Sequence, residues 1–237
     1  MRIFVDTDPI TRNWQLLLLG LFAGLLGQPA AAGEDFPAPP RAQVEWVSSN
    51  MIYNSRPTQV RSFKSRLPVD RVLEYYRNLW QDGFRDRPGY METDTMQPWR
   101  IISRITDEHL LTVQVMSQGN DSKGYLSVTP LDSFLDEGEP MGQGFPMMQG
   151  SKVVNDIRTP DAGRDGRTLF LSNDFSVNGN ANYYRDHYDL RGWKIDMDKA
   201  PSAGDQHVLA FSKGRKKVNI VITRNQDRSF VVANSVE

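Results

Sequence analysis

No cysteine occurs anywhere in the 237 residues, and there are only three histidines. The first absence excludes disulfides, thiolate metal ligands, a cysteine nucleophile and lipid attachment at a cysteine. It leaves export open, because a chain of this size can be held by its core alone. The histidines, His109, His187 and His207, are too far apart in sequence for a His-x-x-x-His metal pair, so solvated or structural roles are expected. Serine chemistry fares no better: there is no Gly-x-Ser-x-Gly elbow and no Ser-x-x-Lys on a helix. The scattered glycines of residues 138–150 lack the order of a phosphate-cradling loop. The acidic pairs Asp161/Asp165 and Asp196/Asp198 match no calcium loop and read as solvated turns. A charge excess of one sign is also missing, with 28 Lys and Arg against 29 Asp and Glu, which excludes a global field for nucleic acid. The expectation is therefore a non-enzymatic protein with no cofactor and no metal.

Long apolar runs are scarce too. The one present, Trp14 to Leu26, is short for a membrane span and is followed by Ala30-x-Ala32, the small-residue pattern of a signal peptidase site. A signal peptide over residues 1–32 is expected, with cleavage after Ala32 and a periplasmic or secreted mature chain from Gly33. The alternative is an inner-membrane anchor formed by residues 14–26, because Asp6 and Asp8 cancel the charges of Arg2 and Arg12.

What the chain has instead is a motif made twice. Tyr75-Tyr76-Arg77 is matched by Tyr183-Tyr184-Arg185, and working backwards, Phe63, Leu67, Val69 and Leu73 fall in gap-free register with Leu171, Phe175, Val177 and Ala181 at an offset of 108. Trp80 matches Tyr188 at the same offset, and one inserted residue then separates Gly83 and Phe84 from Gly192 and Trp193. In the first copy Val69, Val72, Leu73, Tyr76, Leu79 and Trp80 repeat at helical spacing, so an amphipathic helix is expected with its aromatic stripe in the core. Alternating segments around it read as strands, at Gln59–Leu67, Arg100–Thr106, His109–Met116 and Gly124–Thr129, and again at Arg167–Asp174, His207–Lys213, Lys216–Arg224 and Ser229–Asn234. The expected fold class is α+β, as two tandem copies of a small domain, each one helix on an antiparallel sheet in the order β-α-β-β-β. The expected boundaries are a flexible Pro-rich spacer at 33–42, a first repeat at 43–131, a linker at 132–149 and a second repeat at 150–237.

Three places stand out as candidate contacts. Phe145, Met147 and Met148 are too apolar for a plain linker, and either cover one of the domains or form a Met-rich contact for another protein. Arg61, Lys64 and Arg66, with Arg56, gather before the first helix, while Lys213, Arg215, Lys216 and Lys217 gather at the last hairpin. Both basic groups suit an acidic partner, a lipid head group or a glycan, against the plainer reading that lysines protect strand edges from pairing.

The helix pattern Tyr-Tyr-Arg followed by Gly-Phe or Gly-Trp, between strands, resembles exported envelope proteins of Gram-negative bacteria that carry such a helix in a small β-α-β-β-β module. In layout the chain is similar to the paired helix-grip domains of the BamC-type outer-membrane assembly lipoprotein, from which it departs in having no cysteine to acylate. The resemblance implies a protein-binding scaffold or assembly factor whose partners are envelope or secretion-machinery proteins, with peripheral membrane association as a further expectation. The alternative is a periplasmic binding protein for a lipid, glycan or other small apolar ligand, which would need a deep apolar pocket beneath either helix.

Overall fold

A computed structural model describes residues 36–83, 89–136, 138–161, 164–201 and 204–237. The expected signal peptide with its run from Trp14 to Leu26, the start of the expected spacer and Phe84 lie outside these residues. The strands β1 (Ala42–Tyr53) and β2 (Arg56–Ser65) form an opening hairpin, followed by helix α1 (Val69–Leu79). Next come β3 (Met91–Thr93), β4 (Arg100–Ile105), β5 (His109–Gln118) and β6 (Asp121–Pro130). The same order then recurs: β7 (Lys152–Asp161), β8 (Arg164–Asn173), α2 (Val177–Asp189), β9 (Lys194–Lys199), β10 (Gln206–Lys213), β11 (Lys216–Asn225) and β12 (Arg228–Val236).

The expected fold class, two tandem helix-on-sheet domains, is overturned by the strand pairing. The twelve strands hydrogen-bond as one antiparallel sheet in the order β3-β4-β5-β6-β2-β1-β7-β8-β12-β11-β10-β9. The physical reason lies in β1, whose end next to the hairpin turn pairs along its other edge with β7, Ile52 opposite Arg158 and Tyr53 opposite Ile157. An unpaired strand edge leaves backbone N–H and C=O groups without partners, and β7 supplies them. Contacts accordingly cluster into one unit of the described residues up to Ser49 with Thr58–Leu135, and another of Asn50–Pro57 with Asp136–Glu237. The tip of the first hairpin thus belongs to the second unit.

Within the first unit, α1 lies on the face made by Phe63, Ile102, Leu111, Val113, Val115 and Leu126. Its inward residues Val72, Leu73, Tyr76 and Trp80 are buried there, and Tyr76 is 0% exposed with its hydroxyl donating to Pro37 O at 2.8 Å. The spacer is packed from Phe36 onward rather than loose: Phe36 is 2% exposed, against the rings of Tyr76 and Trp80. Gly124 sits opposite Phe63 in the β2–β6 register, and a Cβ there would lie 2.7 Å from the Phe63 ring, so only glycine admits that aromatic.

In the second unit α2 covers Leu169, Leu171, Leu209, Phe211, Ile220 and Val231, with Tyr184 again 0% exposed and Tyr188 stacked on Phe211 at 4.5 Å. Ser176 caps the helix by accepting from Gly179 N–H. Gly192, at φ 71°, ends it, with Trp193 N–H reaching back to Tyr188 O at 3.0 Å. Among the described residues, no helix is long and apolar enough to cross a membrane.

Candidate functional site

Lys64 near the C-terminal end of β2 and Arg66 just after it, two of the cationic residues singled out in the sequence, line a cleft of about 700 Å³ in the first unit. Arg41 and Gln43 at the start of β1 form a second wall, and Gln118 and Asp121 at the base of the β5–β6 turn form a third. The walls are tied together by hydrogen bonds. Ser65 Oγ donates to Pro40 O at 3.0 Å, Arg66 N–H points to Arg41 O at 3.5 Å, and Ser122 Oγ donates to Leu67 O at 2.8 Å. Arg41 is held at φ 58°, a conformation that costs a non-glycine residue free energy and persists only where its surroundings impose it.

The register adds a cation that sequence order hides. Lys64 pairs directly across from Lys123 of β6, so two ammonium groups project from the same face of neighbouring strands. Like charges in that position repel. Among the described residues neither lysine has an ion-pair partner, nor do Arg41 and Arg66. Lys64 therefore does not protect an edge, because β2 is interior to the sheet, between β6 and β1.

Arg61 is engaged elsewhere. Its guanidinium donates to Phe36 O at 2.6 Å and lies over the rings of Trp46 and Phe36, at 5.7 and 6.0 Å. The other basic group is exposed, and two of its members have partners in the chain: Lys213 donates to Arg191 O, and Lys216 pairs with the Glu237 carboxylate, both at 2.7 Å.

The apolar linker residues turn out to be half-buried. Phe145 and Met147 pack against the core beneath α2, with the Phe145 ring 5.9 Å from that of Tyr184, and Met148 is half-buried beside them. They are positioned by Asp156, a buried carboxylate that takes both prongs of Arg167, at 2.9 and 2.6 Å, and accepts from Gly142 N–H at 2.9 Å. Burial alone would raise the Asp156 carboxyl, but Arg167, the Gly142 amide and Arg158 outweigh it and hold it below the usual carboxylate range. Gly142, at φ 81°, has no room for a side chain, since a Cβ would lie 2.7 Å from Val153. The same cluster receives the hairpin tip: Asn54 and Ser55, both at positive φ, make its turn, and the Asn54 side chain accepts from Asp156 N–H and donates to Asn155. Ser55 Oγ donates to Glu139 O.

The repeated Tyr-Tyr-Arg motif also acquires a second role. Arg77 of α1 grips Glu92 of β3 through two contacts of 2.8 Å, and Arg185 of α2 grips Asp198 of β9 at 2.6 and 3.1 Å. In each case the arginine that follows the buried tyrosine fastens the helix to the outermost strand of the sheet. His207 Nε2 lies 2.6 Å from the other side of Asp198, and with that carboxylate as acceptor the ring N–H is the donor. His207 Nδ1 is buried with no hydroxyl or other partner among the described residues. The visible chemistry of this His–Asp pair is thus to hold β9 beside β10. His187 stacks beside Tyr183 and Tyr188, and burial, helped by Arg191, holds it below the usual histidine range. Asp196 and Asp198 are strand residues rather than the turn expected of them, and Asp165 likewise lies in β8. Among the described residues, no group of three His, Cys, Asp or Glu could hold a metal ion.

Arg41, Gln43, Gln118 and Asp121 of the cleft, and Lys123 beside it, are the residues that sequence reasoning missed. Only strand register brings Lys123 to Lys64, and Arg41 was assigned to a mobile spacer. Against known proteins, a family model described as START domain-like matches residues 152–229, about a third of the chain. No curated protein and no solved structure matches.

Proposed function

We propose that this chain is an exported, non-enzymatic envelope protein that serves as a protein-binding scaffold or assembly factor for other envelope proteins. The observation that carries the reading is the state of the two cores. The inward faces of α1 and α2 rest on packed side chains, with Tyr76 and Tyr184 fully buried, so binding falls to the surface. The signal-like segment before the described residues supports export, as periplasmic or secreted protein after cleavage at Ala32, or anchored in the inner membrane by residues 14–26 if uncleaved.

The test is in-cell crosslinking of the tagged chain followed by purification from the native envelope. A defined envelope protein crosslinked at one surface patch, and lost when that patch is changed, is the expected result. N-terminal sequencing of the same material reads residue Gly33 if the segment is cleaved.

A second reading, a binding protein for a lipid, glycan or other small apolar ligand, draws support from the START domain-like match over residues 152–229. Solvent extraction of the purified protein discriminates. A stoichiometric lipid or glycan in the extract would replace the scaffold with a ligand carrier, and an empty extract alongside a crosslinked protein partner would retain it.

A further inference from the structure

We propose that the cleft walled by Arg41, Lys64 and Arg66, with Lys123 beside it, is a binding site for a multiply charged phosphate oxyanion, either a phosphoryl head group of a lipid or a free phosphate. Three observations converge on it. Three cations line the cleft against one carboxylate, Asp121, an excess of two positive charges that no described residue neutralises, and Lys123 stands across the strand pair from Lys64. Lys64 and Lys123 are held directly opposite each other inside the sheet, an arrangement that is unfavourable until an anion bridges them. Arg41 is fixed in a left-handed conformation at the rim, and backbone strain of this kind gathers at ligand sites.

Comparison of the two copies shows that the charges are not needed to build the strand. At the offset of 108, Lys64 corresponds to Ser172 and Arg66, just past β2, to Asp174, just past β8, and β8 forms with Ser172 as β2 does with Lys64. The charge therefore belongs to the site rather than to the fold.

The chemistry favours phosphate over a single carboxylate. Two guanidiniums offer planar forks that match oxyanions bidentately, and two ammoniums add point charges. A ligand with two or three negative charges on one centre balances the excess in a space of about 700 Å³, whereas the carboxylates of an acidic peptide are dispersed along its backbone.

The experiment titrates pyrophosphate into the full chain by calorimetry in a phosphate-free, low-salt buffer, comparing it with K64S/R66S, whose melting temperature is checked first. Saturable binding that weakens at least about tenfold in the variant, and that fades with added salt, is expected. R215S/K217S, at the other basic group, should bind as the unaltered chain does. Should K64S/R66S fail to fold, Lys64→Ser alone, at an exposed position, reads the same loss. Co-sedimentation with vesicles of phosphatidic acid in phosphatidylcholine then separates the sources. Retention that pyrophosphate competes away and that K64S/R66S lacks identifies a lipid head group, while pyrophosphate binding without variant-sensitive retention identifies a free phosphate. The proposal is overturned if pyrophosphate does not bind, if it binds the variant equally well, or if hexaglutamate binds as tightly as pyrophosphate.

Discussion

Asn173 and Asn180 show how a single position can depart from an otherwise matching repeat. In the first unit the corresponding residues are Ser65 and Val72, a small hydroxyl and an aliphatic side chain. In the second, the two asparagines are buried and exchange reciprocal amide bonds of 2.8 and 3.0 Å, and Asn180 donates to Ser176 O at 3.0 Å. A buried amide whose partner is removed bears its full desolvation cost, so Asn180→Ala should destabilise by about 1–3 kcal/mol, read from urea melts. Val72→Ala in the other helix should cost through lost packing instead. The two effects separate on rescue, because Asn180→Asp restores an acceptor and Asn180→Leu does not. At the glycine beneath Phe63, Gly124→Ala should be destabilising by about 1–3 kcal/mol through overpacking. A melting curve unchanged from that of the parent would place the Phe63 ring elsewhere. The buried tyrosines of both helices were legible from spacing alone, whereas the amide pair was not: asparagine on a helix reads as a polar-face residue, and only the fold reveals its partner.

The elements that sequence patterning found are those with one apolar and one wet face, such as α1 and β5, because burial on one side writes a period into the sequence. It did not find β9, which reads Lys-Ile-Asp-Met-Asp-Lys and is exposed along its whole length, nor β7, whose polar Asn155 and Asp156 are buried by hydrogen bonds rather than by apolar packing. What holds β9, besides its ladder to β10, is the ion pair of Asp198 with Arg185, and this has a pH signature. The Arg185 guanidinium, joined by His207 and opposed by desolvation, pulls the Asp198 carboxyl down to about 2 from an ordinary value near 3.8. A group whose folded pKa is depressed contributes its stability above the unfolded value and loses it as pH falls through the folded one. Asp198→Asn should therefore lower the melting temperature at neutral pH and flatten its fall between about pH 4 and about pH 2 relative to the parent. Parallel curves for the two proteins across that window would mean the clamp contributes nothing. The linker makes the complementary point. Replacing Phe145, Met147 and Met148 together with serine should lower the melting temperature, since Phe145 and Met147 cover the core under α2. An unchanged melt would return these residues to the role of a partner contact.

At the scale of the whole molecule, the repeat could be read and its assembly could not. Internal similarity records that the order strand-strand-helix-four strands is used twice, but no residue pattern says where one sheet stops. Continuity rests on two pairs at the end of β1 and on the Asn54, Asn155 and Asp156 side chains around them, polar residues that a sequence reading assigns to turns. The cleft was half visible for a similar reason: Lys64 and Arg66 are neighbours in sequence, while Arg41 and Lys123 reach them only through folding.

The placement of the first hairpin's tip in the second unit also sets a timetable. Asn54 bonds to Asp156, 102 residues further on, and at synthesis rates of roughly 5–20 residues per second that partner emerges about 5–20 s later. Until then the edge of Met51, Ile52 and Tyr53 that faces away from β2 has no strand to pair with, the kind of apolar edge that other chains and holding chaperones capture. A chain stopped at Leu135 keeps that wait open indefinitely. It should self-associate on gel filtration where the whole chain runs as a discrete species, and Ile52→Lys should restore its solubility. A strand edge of this kind makes the later half of the chain the chaperone of the earlier.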